Sequence, residues 1–371
     1  MKFEELYPRV LERLRQDYRI RVTLVQSRPG RVFPQVDTLR CSIQFNPKLR
    51  GFAVLYALML RYPAEGYEAV SQYTLYNLYL DADSYSEAST ALDRLEQEIT
   101  RLEHTLPSST LNGLECTVDT QQLFILLHEA AHIVLTHCPD ERAWYDRQAR
   151  RRVEEMRVNT DGLADRMRAY LEDLLPDSLP ADIRHCFSEE QHRYLSGHAD
   201  RLFDVDHLLQ ADDSWLEELS CDQLAWSYAL SAIGEACPSE NALLQANTDI
   251  LLSLYVMDYD KALNASFDGT AGTKLSSLPL RAGIRHGSLR ESIWLYYKML
   301  APSDRSHAFM DLHQSRDEAA KRLLMRSLLE HVPDMHQLRH SQDRPVRPSA
   351  IMALEGRFVA IEQRICDFLS Q

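Results

Sequence analysis

Two histidines and a glutamate lie in an otherwise apolar stretch, at His128, Glu129 and His132 within Gln121-Gln-Leu-Phe-Ile-Leu-Leu-His-Glu-Ala-Ala-His-Ile-Val-Leu-Thr-His137. At about 3.6 residues per turn, histidines four apart leave one face of a helix, where both imidazoles can reach a single ion. Glu129, one step round, can reach a water on that ion. A catalytic zinc takes three protein ligands and keeps a position for water, whose pKa falls from about 15.7 to roughly 7, while a neighbouring carboxylate takes the proton. In a His-Glu-x-x-His pattern the histidines are two of the ligands and the glutamate is the base.

The chemistry needs a helix to carry it and a third ligand to complete it. Phe124, Leu127, Ala131 and Leu135 continue an apolar stripe through the motif, and Asp119 with Gln122 has the capping-box spacing of a helix start. Downstream, Trp215-Leu-Glu-Glu-Leu-Ser-Cys-Asp-Gln-Leu-Ala-Trp226 places Glu218 and Asp222 one helical turn apart. Glu218 can complete a His2Glu set, and Asp222 can accept the free ring N–H of a ligand histidine and fix its tautomer. Taken alone, this segment also reads as a solvated acidic face, with Asp212, Asp213 and Glu217 in the same neighbourhood.

Together the two motifs resemble the gluzincin metallopeptidases, in which a His-Glu-x-x-His helix is followed by a helix with Glu-x-x-x-Asp. The long interval from His132 to Glu218 is more similar to the HtpX and CAAX-prenyl-protease type than to thermolysin-like enzymes. A metzincin would have Gly and His where this chain has Leu135 and Cys138. The resemblance implies a zincin-like core, zinc on His128, His132 and Glu218, Glu129 as base and Asp222 in support. It extends to Arg285-His-Gly-Ser-Leu-Arg290, where the HtpX type has a His-Pro segment followed by Arg and this chain has Gly287 for the Pro. On a loop, which the small residues between Phe267 and Leu289 predict, His286 and Arg290 would serve as catalytic donors to an oxyanion. The same residues equally suit surface positions that break up an acidic chain.

The chain has 371 residues, 45% of them hydrophobic, enough for a large core and two or three lobes. A formal net charge of −14 argues against a nucleic-acid partner, since phosphates need a basic footprint. The one basic cluster, Arg147, Arg150, Arg151 and Arg152, is interleaved with Glu154 and Glu155 and reads as a salt-bridged helix face. Seven cysteines without a Cys-x-x-Cys, and a charged first 20 residues lacking a signal-peptide pattern, suit a reducing, cytoplasmic setting. The longest strongly apolar run, Gly51 to Leu60, stops short of the roughly 20 residues needed to span a bilayer, so no stable membrane insertion is expected. That departs from the membrane-embedded HtpX and prenyl-protease enzymes.

Periodicity predicts helices over 3–18, 51–61, 66–80, 86–105, 140–175, 291–300, 314–331 and 348–370, with alternating strands over 18–25 and 37–46. Strand 37–46 is the candidate edge for hydrogen-bonding an extended substrate. His192, His198, Asp200 and His207 do not recur on one helical face, and the linker 332–347 with His336 and His340 reads as an exposed connection. The fold class is α+β and mainly helical, a zincin-like metallopeptidase core with a small sheet and additional helices. It divides into an N-terminal α/β region at 1–110, the core at 111–300 and a C-terminal helical region at 301–371. The expected function is zinc-dependent hydrolysis of peptide bonds in an intracellular protein or peptide substrate. The alternative is a non-catalytic regulatory or scaffolding protein with a structural zinc, which would need a fourth protein ligand. His137, the nearest candidate, points about 140° away round the helix.

Overall fold

The structure, a computed structural model, describes residues 2–26, 33–81, 84–106, 113–155, 214–267, 271–300, 307–314, 316, 320 and 348–369. The chain opens with α1 (Phe3–Tyr18), whose Phe3, Leu6, Val10 and Leu14 make one buried stripe, and Arg19 in a left-handed conformation ends it. A small sheet follows, of β1 (Thr23–Gln26), β2 (Gln35–Asp37) and β3 (Ser42–Phe45) in the order β1-β3-β2. β3 pairs parallel to β1, with Thr23 opposite Ser42, and antiparallel to β2, with Val36 opposite Ile43. Ile43 and Phe45 face the core.

The sheet corrects two expectations. The strands are shorter than the alternation suggested, because Tyr18 still belongs to α1 and 38–41 form a turn with Cys41 in a left-handed conformation. Strand 37–46 is not an edge either. Its ladder portion, β3, is the central strand, flanked on one side by β2, which at three residues is too short to carry a periodicity of its own.

The other described elements are helices. α2 (Lys48–Arg61) is buried on nearly every side, as an all-round apolar helix must be, and α3 (Pro63–Asp81) and α4 (Tyr85–Thr105) pack beside it. Next come α5 (Leu114–His137), α6 (Pro139–Glu155), α7 (Ser214–Ala236), α8 (Glu240–Phe267), α9 (Ala271–Leu300) and α10 (Pro348–Leu369). α5 is central, in contact with α1, α2, α6, α7, α8 and the sheet, while α10 closes on α2 and α4. One apolar cluster runs from Phe3 to Ile365.

The stretch predicted as a loop before Leu289 is instead the first half of α9. Its small residues have modest helix propensity, but packing against α7 and α8 buries Arg285, His286, Ser288, Leu289, Ser292 and Ile293, and tertiary burial of that kind overrides propensity. The predicted helix 140–175 is seen as α6 up to Glu155. Its remainder lies outside the described residues, as do His192, His198, Asp200, His207, most of 314–331 and the linker 332–347. Among the described residues, no helix is long and apolar enough to cross a membrane.

Candidate metal centre

α5 carries His128, Glu129 and His132, and its local sequence explains its depth. Gly113, in a left-handed conformation that costs glycine nothing, starts the helix before Leu114. Asp119 therefore does not cap the helix. It sits a turn inside it with no exposed surface, and Arg50 of α2 donates to Asp119 Oδ1 at 2.8 Å and Gln122 Oε1 at 3.0 Å. The spacing that suggested a capping box marks a shared i, i+3 face turned toward α2.

Two turns further on, His128 and His132 face Glu218 of α7. One ligand atom from each lies within 4.8 Å of the others. Glu218 Oε2 is 3.3 Å from His128 Nε2, Glu218 Oε1 is 3.9 Å from His132 Nε2, and the two rings meet edge to face at 5.0 Å. The carboxylate thus lies between two Nε2 atoms, and the remaining nitrogen of each ring has a carboxylate behind it. His132 Nδ1 donates to Glu217 Oε1 at 2.8 Å. His128 Nδ1 lies 2.8 Å from Asp222 Oδ1, an ion-pair distance without ideal hydrogen-bond alignment. Carboxylates at Nδ1 favour the tautomer that leaves an Nε2 lone pair for a metal.

Arginines stand behind those carboxylates in turn. Arg285 of α9 donates from Nε to Asp222 Oδ2 at 2.9 Å and from Nη2 to Asp222 Oδ1 at 2.7 Å, and its Nη1 donates to Asp258 Oδ1 of α8 at 2.9 Å. Arg142 of α6 donates to Glu217 Oε2 at 3.2 Å. Around the histidines, the carboxylates of Glu217, Glu218, Asp222 and Asp258 meet the guanidiniums of Arg142 and Arg285. Burial opposes a charge on His128, but Asp222 and Glu218 outweigh it and hold its pKa up to about 9. Burial likewise works against ionised Asp222, and Arg285 and His128 overcome it and keep its carboxyl below the usual range.

Glu129 is half-buried beside His128. Burial, helped by the charges of Glu218, Asp222, Glu217 and Glu129, pushes the Cys221 thiol well up, so Cys221 is an inert thiol. His286 and Arg290 are seen in other contacts. His286 is buried on α9, stacked between Tyr255 and His313 at 4.7 Å from each, and Arg290 lies 3.6 Å from Glu291. Arg285 of that segment reaches the cluster, its Nη1 being 3.4 Å from Glu218 Oε2. His137 instead donates from Nε2 to the Thr38 carbonyl at 2.8 Å, with Cys41 Sγ at 3.4 Å.

Glu217, Arg142 and Asp258 are the members that sequence reasoning missed. Asp258 had a signal, a charge directly after the apolar run Ile250 to Met257. Glu217 was hidden among other acids, and nothing local marks Arg142. The chain matches no protein-family model, no curated protein and no solved structure, so the chemistry must be read from these residues. They define a group that could hold a metal ion.

Proposed function

We propose that this chain is a zinc metallopeptidase of the gluzincin type, hydrolysing peptide bonds of a protein substrate. The observation that carries the reading is the convergence of His128, His132 and Glu218 from two helices, with Glu129 next to His128 in the chain. The donors fit zinc, two imidazoles and one carboxylate being a catalytic set that leaves room for water. Zinc bound there would supply Lewis acidity, making a water acidic near neutral pH and polarising a carbonyl. The chain does the rest. Asp222 and Glu217 hold the two rings, Glu218 supplies the third ligand atom, and Glu129 accepts the proton of the attacking water and returns it to the departing amine.

The scaffolding alternative needs a fourth protein ligand closing the site. Among the described residues the group has three members, and His137 is committed to Thr38. The test is Glu129→Gln, which keeps the shape of the side chain and loses the base. Wild-type protein loaded with one zinc equivalent is incubated with a mixture of unfolded proteins, and new peptide termini are read by mass spectrometry. Wild type should generate termini that a chelator suppresses and added zinc restores. The variant should bind the same zinc and cut at least 100- to 10,000-fold more slowly, the range for losing a general base. Cleavage by the variant at the wild-type rate, or a wild type that binds no zinc, would reject the reading.

A further inference from the structure

Arg285 is buried to 4% exposure and reaches three acidic side chains from two other helices. Two of its nitrogens span both oxygens of Asp222, which sets the plane of that carboxylate as well as its position. The Asp222 oxygen that accepts from Nη2 is the one 2.8 Å from His128 Nδ1. The third nitrogen, Nη1, is fixed by Asp258 and touches the Glu218 oxygen nearest His128. One planar group therefore governs a ring and a carboxylate at once.

Resting on the metal-site reading above, we propose that Arg285 is the positioning residue of the centre: it presets His128, through Asp222, and Glu218 directly, so that both ligand atoms stand ready before the cation arrives. The guanidinium is suited to this where an ammonium is not. A lysine offers a point charge that can meet one oxygen, while the arginine fork holds two in a fixed plane and keeps a third donor for Asp258. The site then loses less freedom when it binds metal, and supports of this kind usually account for 10- to 100-fold in metal affinity.

The experiment measures zinc dissociation constants by competition with a chromophoric chelator, together with the visible absorption of the cobalt(II)-loaded protein. Wild type, His128→Ala, Arg285→Lys and Asp258→Ala are compared, with folding checked by circular dichroism. Arg285→Lys keeps the buried charge and removes the fork. It should fold, bind zinc about 10- to 100-fold more weakly and shift the cobalt bands, because the ligand geometry changes. A folded Arg285→Lys with wild-type affinity and an unaltered cobalt spectrum would make Arg285 core cement and overturn the proposal. Should Arg285→Lys fail to fold, Asp258→Ala decides, since it removes the acceptor that fixes Nη1: weakened zinc binding supports the proposal and unchanged binding rejects it. If wild type and His128→Ala bind zinc equally, the metal reading itself has failed, an outcome separate from the other two.

Discussion

His128 and His132 sit one turn apart on α5 but are not held alike. Asp222 behind His128 is gripped by the buried Arg285, whereas Glu217 behind His132 pairs with Arg142, whose side chain is 42% exposed. An exposed ion pair is worth about 0 to 1 kcal/mol, while a pair in a dry site is fixed and cannot lose one partner cheaply. The two supports should therefore weigh differently. Equilibrium dialysis with zinc should show Glu218→Ala losing stoichiometric metal, Asp222→Ala weakened about 10- to 100-fold, and Glu217→Ala weakened less than Asp222→Ala. Full zinc retention by dialysed Glu218→Ala would move the third ligand elsewhere. An equal loss in the two supporting variants would remove the asymmetry.

What could be read from residues followed what a helix fixes by itself. The i, i+4 spacings of His128 with His132 and of Glu218 with Asp222 determine a shared face wherever the helix goes, so both halves of the group were legible. Their union, and the arrival of Arg285, Asp258 and Arg142, depend on which helices pack around α5 and α7, and no local pattern encodes that. The loop expected before Leu289 failed for the same reason, its small residues being compatible with a helix once α7 and α8 cover it. Close packing also makes some positions unforgiving. Gly66 in α3 lies against the α2 backbone, where an added Cβ would come within 2.6 Å of Met59 N and 2.9 Å of Leu58 C. Gly66→Ala should cost about 1 to 3 kcal/mol by forcing α3 away from α2. Gly356→Ala in α10, with nothing within 4 Å of the new methyl, should be neutral or stabilise by up to about 1 kcal/mol. Urea unfolding of the two variants beside wild type checks both, and equal midpoints for all three would contradict the tight α2–α3 approach.

Across the whole molecule, the apolar cluster takes in residues from each of the three segments expected from the sequence. α10 returns to the N-terminal half, where Phe358 stacks on Tyr76, Glu355 pairs with the buried Lys48, and Arg364 pairs with Glu103. α5 is tied to that same half at both ends, by Arg50 on Asp119 and Gln122 near its start and by His137 on the Thr38 carbonyl at its finish. A helix fastened in this way cannot gain stability alone. A ligand that binds only the folded state adds about 2.7 kcal/mol when present at 100 times its dissociation constant, and every amide that exchanges by opening the shared core must slow by the same factor, about 100-fold. Hydrogen exchange followed by mass spectrometry should therefore show zinc protecting residues 42–59, which include none of the three ligand residues, alongside α5 and α7. Protection confined to α5 and α7 would show them opening as a separate unit. If the centre binds zinc as proposed, the Arg50 and His137 fastenings make the N-terminal strands and α2 a reporter of its occupancy, and a chain shortened to begin at α5 should bind the ion more weakly for want of its sheet.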